Sequence, residues 1–419
     1  MTSDAGYRQN HYVPVWYQER FIPKDARERK FKYLNLRPDV IRDSRGRQFS
    51  KTALKRWGPQ LCFCEEDLYT TKFGADISTE IEKKFFGKID ETGKRAVEFW
   101  AAYEPLSVNS DALHDLVRYL ILQKLRTPKG LEIIRRRTQA NDHNQVLFAL
   151  QRLQAMYGAI WMEAQWALID ANRSDTKFII SDHPVTLYNA GCFPGSKWCR
   201  NGEDPEPRFS GTHVLFPISP ERLLVLTNTA WVRNPYGNPV EPRPNPGSAR
   251  SAVFNFTAIQ TGRQLSEEEV IAVNYVIKSR ALRFIASPQE EWLYPERHLK
   301  STHWPKLGGG LLFMPDPREL SLGGQVIFGG FPDGRPSEIW DEYGHRPWEP
   351  EFDDARRQEE ERRTFYAFQG EFARLFGPAH RGATQRFKRG PAVDDEEYHA
   401  ILLAQEEPAL SRRRVGASR

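Results

Sequence analysis

Sulfur is scarce in this sequence. Its four cysteines, Cys62, Cys64, Cys192 and Cys199, form two close pairs, neither spaced Cys-x-x-Cys, and no histidine lies between Cys192 and Cys199. That spacing argues against a zinc knuckle and for free thiols. No uninterrupted apolar run reaches the length of about 18 residues that a membrane-spanning helix needs. The first residues, Met1-Thr2-Ser3-Asp4-Ala5-Gly6, carry no positive segment followed by an apolar one. A chain without a secretory signal, resident in the cytoplasm, is the expectation. Several catalytic signatures are missing too: the Gly-x-Ser-x-Gly elbow, a phosphate loop ending in Gly-Lys-Ser or Gly-Lys-Thr, His-Glu-x-x-His, and Gly-x-Gly-x-x-Gly after a strand. P-loop nucleotide hydrolysis and Rossmann redox chemistry are thereby disfavoured, and no residue set identifies a cofactor.

What is present can build a core. The 419 residues are 39% apolar and 12% aromatic, with a net charge of +5. That charge is uneven: residues 291–419 hold 19 basic against 22 acidic residues, leaving residues 1–290 with 41 against 33. A mildly basic main body is compatible with a polyanionic partner.

In chain order, Pro14 biases His11 to Val13 toward an extended segment, followed by a strand at 31–36. Residues 37–60, basic and broken by Pro38, Gly46, Gly58 and Pro59, read as a loop or ragged hairpin. Ile77, Ile81, Phe85 and Ile89 recur every four residues and predict a long helix, with Gly93 as its candidate break. A second helix begins near Asn109 or Ser110 and stops before Pro128. A third, basic through Arg135, Arg136 and Arg137, covers 129–140, and a fourth runs from about 144 to 171. The period then shortens. Strands are expected at 178–180 and 185–188, at His213 to Ile218 and Leu223 to Thr227 as an antiparallel hairpin, and at Val253 to Ile259. Ser266 opens a Ser-Glu-Glu-Glu capping box for a helix ending near Phe284. Beyond Pro288, Leu311-Leu312-Phe313 and Val326-Ile327-Phe328 read as small strands between glycines, and 353–376 as a salt-laced helix.

The pattern predicts an α+β fold: a helical N-terminal half packed on a mostly antiparallel sheet, with an irregular C-terminal appendage. The expected division is a main domain at 9–287, a Gly/Pro-rich appendage at 288–350, a helical segment at 351–410 and a disordered tail at 411–419.

Five motifs stand out: His11-Tyr12-Val13-Pro14 with Tyr17 and Arg20-Phe21; Gln123-Lys124-Leu125-Arg126-Thr127-Pro128; Ile180-Ser181-Asp182-His183-Pro184-Val185; Phe216-Pro217-Ile218-Ser219-Pro220; and Asn274. In order and spacing the chain resembles, over residues 9–287, a bacterial family known as domain of unknown function 4238. His183 and Val15 depart from the family's usual asparagine and glutamine. The resemblance implies a domain limit and a residue list and brings no reaction with it.

The residues themselves suggest chemistry. His11, Arg126 and Asp182 are the candidate catalytic groups, with Gln123, Arg20, Ser181, Asn274, Arg135 and Arg136 as candidate binding residues. An imidazole moves a proton, an arginine fork holds two oxygens of a phosphate or carboxylate, and a carboxylate orients the imidazole. Such a pocket suits phosphodiester cleavage by a phosphodiesterase or nuclease without an obligatory metal, or recognition of nucleic acid or a phosphorylated small molecule. The alternative is a non-catalytic nucleic-acid- or protein-binding module in which the same residues hold the fold: Asp182 capping backbone amides, and Gln123 and Arg126 serving a helix end. Glu82 and Glu91 could join His11 in a metal set, but nine residues place them poorly on one helical face, and no metal site is assigned.

Overall fold

The computed structural model describes residues 9–43, 46–69, 71–73, 76–78, 86–104, 109–140, 142–243, 259–320, 327–330, 336–340, 345–352, 354–384 and 397–404. The N-terminal part alternates short strands and one short helix: β1 (Gln9–His11), α1 (Val15–Glu19), β2 (Phe31–Asn35), β3 (Val40–Arg42), β4 (Gln48–Ser50), β5 (Leu54–Trp57), β6 (Cys64–Glu66), β7 (Thr71–Phe73) and β8 (Asp76–Ser78). Four helices follow: α2 (Gly87–Ala101), α3 (Ser110–Leu125), α4 (Pro128–Thr138) and α5 (His143–Met162). Next come β9 (Gln165–Asp170), β10 (Ile180–Ser181), β11 (Thr186–Tyr188), β12 (His213–Ser219), β13 (Arg222–Thr227), α6 (Thr229–Arg233), β14 (Gln260–Gln264), α7 (Glu267–Arg280) and β15 (Phe284–Ser287). The C-terminal region adds β16 (Ile327–Gly330), β17 (Pro336–Trp340), α8 (Ala355–Phe376) and β18 (Ala383–Thr384).

Six strands form the main sheet in the order β11-β12-β13-β9-β14-β18, antiparallel except for the parallel pair of β9 and β14. Along β9, Trp166 and Leu168 point into a core shared with α2, α3, α4 and α5, whereas Ala167 and Ile169 point into a second core shared with α7. The two-residue period of a strand places alternate side chains on opposite faces, so this sheet is covered on both. Helices, sheet and helix thus stack in three layers, the α+β arrangement expected. A second, antiparallel sheet, β10-β15-β2-β5, brings residues near position 33 against residues near 286.

Local chemistry explains the ends of the helices. The Asn109 side chain accepts from Ala112 N at α3, Asp142 caps α5, and Ser266 with Glu269 completes the capping box of α7. Gly93 does not break α2. A Cβ there would lie 2.6 Å from the Tyr119 ring, so the glycine lets α3 approach.

Four expected boundaries differ, the first at α7, which ends at Arg280, so that Phe284 opens β15 and does not end the helix. Asp76–Ser78 is a strand paired with β7, so the four-residue spacing from Ile77 does not run through one helix; Ile81 and Phe85 lie outside the described residues. The fourth helix ends at Met162 and the chain continues as β9, because a strand buried on both faces reads as a continuous apolar run. The strand expected at Val253 to Ile259 lies outside the described residues except for Ile259, which precedes β14 (Gln260–Gln264). Leu311-Leu312-Phe313 is a turn whose Leu312 and Phe313 fill the second core.

The region after residue 287 is tied to this framework. Trp304 and Leu307 join Leu312 and Phe313 in that core, and β18 pairs with β14 at the sheet edge. Asp316 and Arg318 form a buried ion pair at 2.7 Å, and the same guanidinium donates to the carbonyls of Gly377 and Ala379 just past α8.

Candidate functional site

The polar chemistry of the interior gathers where α3 breaks into α4. Arg126 ends α3, Thr127 caps α4 by accepting from Gly130 N at 3.1 Å, and Pro128 occupies the first helical position, where no amide hydrogen is needed. Gly130 is required by a close approach: a Cβ would sit 2.4 Å from the carbonyl oxygen of Lys124 and 2.5 Å from that of Leu125. Gln123 and Arg126 face one side of this junction. Lys124, Thr127 and Lys129 face the other.

On the first side, Arg126 is 1% exposed and makes four hydrogen bonds. Its fork reaches both oxygens of Asp90 at 2.8 Å, and Nε and Nη2 donate to Gln123 Oε1 at 3.2 and 2.7 Å. Burial opposes the charge, but the carboxylate of Asp90 outweighs it and holds the guanidinium above its ordinary value. Gln123 in turn donates to the carbonyl of Tyr12 at 2.7 Å, and the Tyr69 hydroxyl donates to the carbonyl of Arg126 at 3.0 Å.

On the second side lies a buried cluster that no local sequence pattern announced. Asp204 receives Lys124 and Lys129, the latter at 2.5 Å. His183 Nε2 stands 2.8 Å from Asp204 and 2.7 Å from Lys124 Nζ, while Nδ1 stands 2.6 Å from the Thr127 hydroxyl. Lys129 also donates to the carbonyl of Arg280 at 2.7 Å. Burial and the neighbouring Lys124 push His183 down to about 3, so the ring is neutral at pH 7. Burial and the nearby Lys129 lower Lys124 to about 8, with Asp204 opposing them. Burial would raise Asp204, yet the two lysines and His183 carry it well below the usual carboxylate range. Hydroxyl, imidazole and carboxylate here stand in the order of a nucleophile relay. Thr127 and His183 are 0% exposed, however, and the threonine oxygen is occupied in capping α4. This cluster orders the interior.

The predicted residues occupy distinct positions. The His11 ring, half-buried on β1, lies 3.1 Å from the carbonyl of Gln60, and burial lowers its pKa despite that bond. Asp182 accepts the amides of Leu282, Arg283 and Phe284 at 2.9, 2.6 and 2.8 Å; burial raises its pKa and these three bonds oppose the rise. Neither of these two residues bonds to the other. Their common ground is Tyr12, which follows His11, accepts from Gln123, and whose phenol feels the charge of Asp182. Ser181 accepts from His183 N, Arg20 donates to the carbonyl of Ile218 at 3.1 Å, and Asn274 bonds the backbone of Ile179 and Lys177. Tyr17 donates to the carbonyl of Pro217 at 2.6 Å. Motif meets motif through side chain to backbone bonds.

Arg135 and Arg136 share Glu132, Arg136 also reaches the carbonyl of Asn201, and Arg137 pairs with Glu206 at 2.9 Å. Glu82 lies outside the described residues, and Glu91 is an exposed partner of Arg95. Among the described residues, no group of three or more His, Cys, Asp or Glu side chains could hold a metal ion, and no helix is long and apolar enough to cross a membrane.

Residues missed from the sequence were Asp90, Lys124, Lys129, Asp204 and Arg280. Lys124 and Lys129 lay beside recognised residues, but Asp204 is 80 and 75 positions away from them, in a segment that reads only as a loop. No curated protein and no solved structure matches the chain. A family model does: the one describing a protein of unknown function, DUF4238, covers residues 9–291, more than half of the chain and all five motifs. The chain belongs to the DUF4238 family.

Proposed function

We propose that this protein is a binding module for nucleic acid, contacting the phosphate backbone through the ribbon at residues 37–57. The observation that carries this reading is the charge and exposure of that ribbon. It holds seven basic and two acidic residues, a net +5 equal to that of the whole chain. Arg37, Arg42, Arg47, Lys51, Lys55 and Arg56 are all exposed on or beside β3, β4 and β5. Phe49 is 49% exposed at the tip strand, and Lys55 sits 4.1 Å over the Trp57 ring. Basic side chains interleaved with aromatics serve both phosphate contact and base stacking. The ion pairs that engage some of these groups, Asp43 with Arg47, Asp39 with Lys51 and Glu28 with Arg56, each have an exposed cation and are worth only about 0–1 kcal/mol apiece. A phosphate can compete for such groups. Arg126 and Asp182, by contrast, are buried and committed to internal partners, which favours binding over catalysis.

A second reading, hydrolysis of phosphodiester bonds by a phosphodiesterase or nuclease, draws support from one group. His11 keeps contact with solvent and is held in the neutral form that a general base needs.

One experiment separates the two. Labelled single- and double-stranded DNA and RNA are incubated with the protein, its His11→Ala variant and a triple variant, Arg42→Ala with Arg47→Ala and Lys55→Ala, with and without chelator and added Mg²⁺ or Mn²⁺. Salt-dependent binding without cleavage is expected, with the triple variant weaker at every sequence and its salt slope reduced by roughly one per lost phosphate contact. Cleavage that disappears in His11→Ala would replace binding with hydrolysis. Neither binding nor cleavage would remove nucleic acid from both readings.

A further inference from the structure

Cys192 and Cys199 come together beside an arginine. Two consecutive tight turns, Ser196 N to the carbonyl of Phe193 at 3.0 Å and Cys199 N to that of Ser196 at 2.9 Å, bring the chain back on itself. Gly195, at φ +84°, supplies a conformation that other residues adopt rarely. The loop then closes through Gly195 N to the carbonyl of Cys199 at 3.2 Å. The Cys199 sulfur lies 3.8 Å from the carbonyl oxygen of Cys192, which places the two side chains side by side, and no disulfide joins them. Arg280, at the end of α7, donates to the carbonyl of Cys192 and reaches the Cys199 thiol. Its Nε is buried without a partner. Both cysteines are 0% exposed and pack against Phe209 and Val240, while Phe193, Pro194, Gly195, Lys197 and Trp198 of the loop between them are exposed.

We propose that Cys192 and Cys199 form a redox-active dithiol, in which Cys199 is the thiolate held by Arg280 and Cys192 is the resolving thiol, and that hydrogen peroxide or an organic hydroperoxide is its oxidant. The Cys199 thiolate attacks the O–O bond, which breaks to leave a sulfenic acid and hydroxide. Cys192 then attacks the sulfenic sulfur, its proton leaves with the departing hydroxyl as water, and a disulfide forms. The dithiol loses two electrons and the peroxide gains them. The electrostatics agree with these roles. The hydrogen bond from Cys192, helped by Arg280 and opposed by burial, holds Cys199 well below the ordinary thiol range, while the same bond and burial push Cys192 up. The other two cysteines serve as internal controls. Burial raises Cys62 to about 12 and also raises Cys64, whose sulfur accepts from Gln9.

The test is residue-resolved. The reduced full-length protein is treated with hydrogen peroxide, quenched, denatured, alkylated and mapped by mass spectrometry. A Cys192–Cys199 disulfide with Cys62 and Cys64 still alkylated is expected. Prior oxidation of Cys62 or Cys64, or Cys199 driven to sulfinic acid in the unsubstituted protein without a disulfide, would overturn the proposal. So would survival of all four thiols. In Cys192→Ser a dimedone-trapped sulfenic acid should appear on Cys199, and in Cys199→Ser Cys192 should stay reduced. The reverse assignment would overturn the stated roles. Arg280→Lys should slow alkylation of Cys199 about tenfold relative to Cys64 in the same molecule at about pH 7. An unchanged ratio would remove the arginine from the site. Since the unsubstituted protein supplies the first readout, a variant that fails to fold does not decide the outcome.

Discussion

Arg126 illustrates how much of this interior depends on single charged groups. Its guanidinium has 1% exposure and its principal anion is Asp90. Removing one partner of a buried pair leaves the other charge uncompensated, at a cost of about 3–5 kcal/mol. Asp90→Asn should fall toward the lower end, because Asp90 is itself 26% exposed and Gln123 still accepts from the arginine. Urea unfolding measures it, and a change within 0–1 kcal/mol, the worth of an exposed pair, would show that Asp90 contributes no more than a surface partner. His183 supplies a second residue-level outcome, in pH. Its folded value of about 3 lies below the 6.5 of the unfolded chain, so between these values the unfolded state binds the extra proton. The contribution of His183 to stability is complete above about pH 6.5 and declines as the pH falls toward 3. Asp204, also depressed, adds to the decline at the acid end. His183→Asn removes the first titration, and its melting temperature should fall less steeply over this window than that of the unsubstituted protein. Parallel slopes would mean that the ring is protonated in the folded state.

At the scale of elements, the α3–α4 break is the most constrained piece. Alanine ordinarily favours a helix over glycine by about 1 kcal/mol. At position 130 that preference should reverse, since the atoms in the way are backbone carbonyls of Lys124 and Leu125 and cannot rotate aside. Gly130→Ala should destabilise the protein by about 1–3 kcal/mol, read from the denaturation midpoint; a stabilised variant would show that the junction relaxes. Much of this element was legible in the sequence. Asn109, Pro128 and Ser266 act through neighbours a few positions away, so the start of α3, the break before α4 and the capping box of α7 could be placed from local pattern. β9 was not legible, because burial on both faces erased the alternation that marks a strand. Gln123 and Arg126 could be picked out by their shared face, but not their partners. Asp90 and Asp204 reach the junction across 36 and 75 to 80 residues, and nothing local to a carboxylate records which cation it will meet.

At the scale of the whole molecule, the family match ends at residue 291 but the second core does not. Trp304, Leu307, Leu312 and Phe313 fill it from beyond that limit, and Asp316 with Arg318 fastens the end of α8 alongside. A chain cut after residue 291 should therefore melt at a lower temperature than the full chain and bind more of a hydrophobic dye. Equal melting temperatures would establish that residues 9–291 stand alone. The pairing of β2 with β15 carries a consequence for how the protein is made. Asn35 pairs with Phe284 and Lys32 with Ser287, so β2 leaves the ribosome about 250 residues before its central neighbour. At roughly 5–20 residues per second that interval is on the order of 10–50 s. Throughout it Phe31 and Tyr33, whose side chains end fully covered, are apolar surface on a nascent chain. β2 can pair early with β5, some twenty residues downstream, but its sheet is completed only after β15 is made, and until then a chaperone at the tunnel exit can cover it.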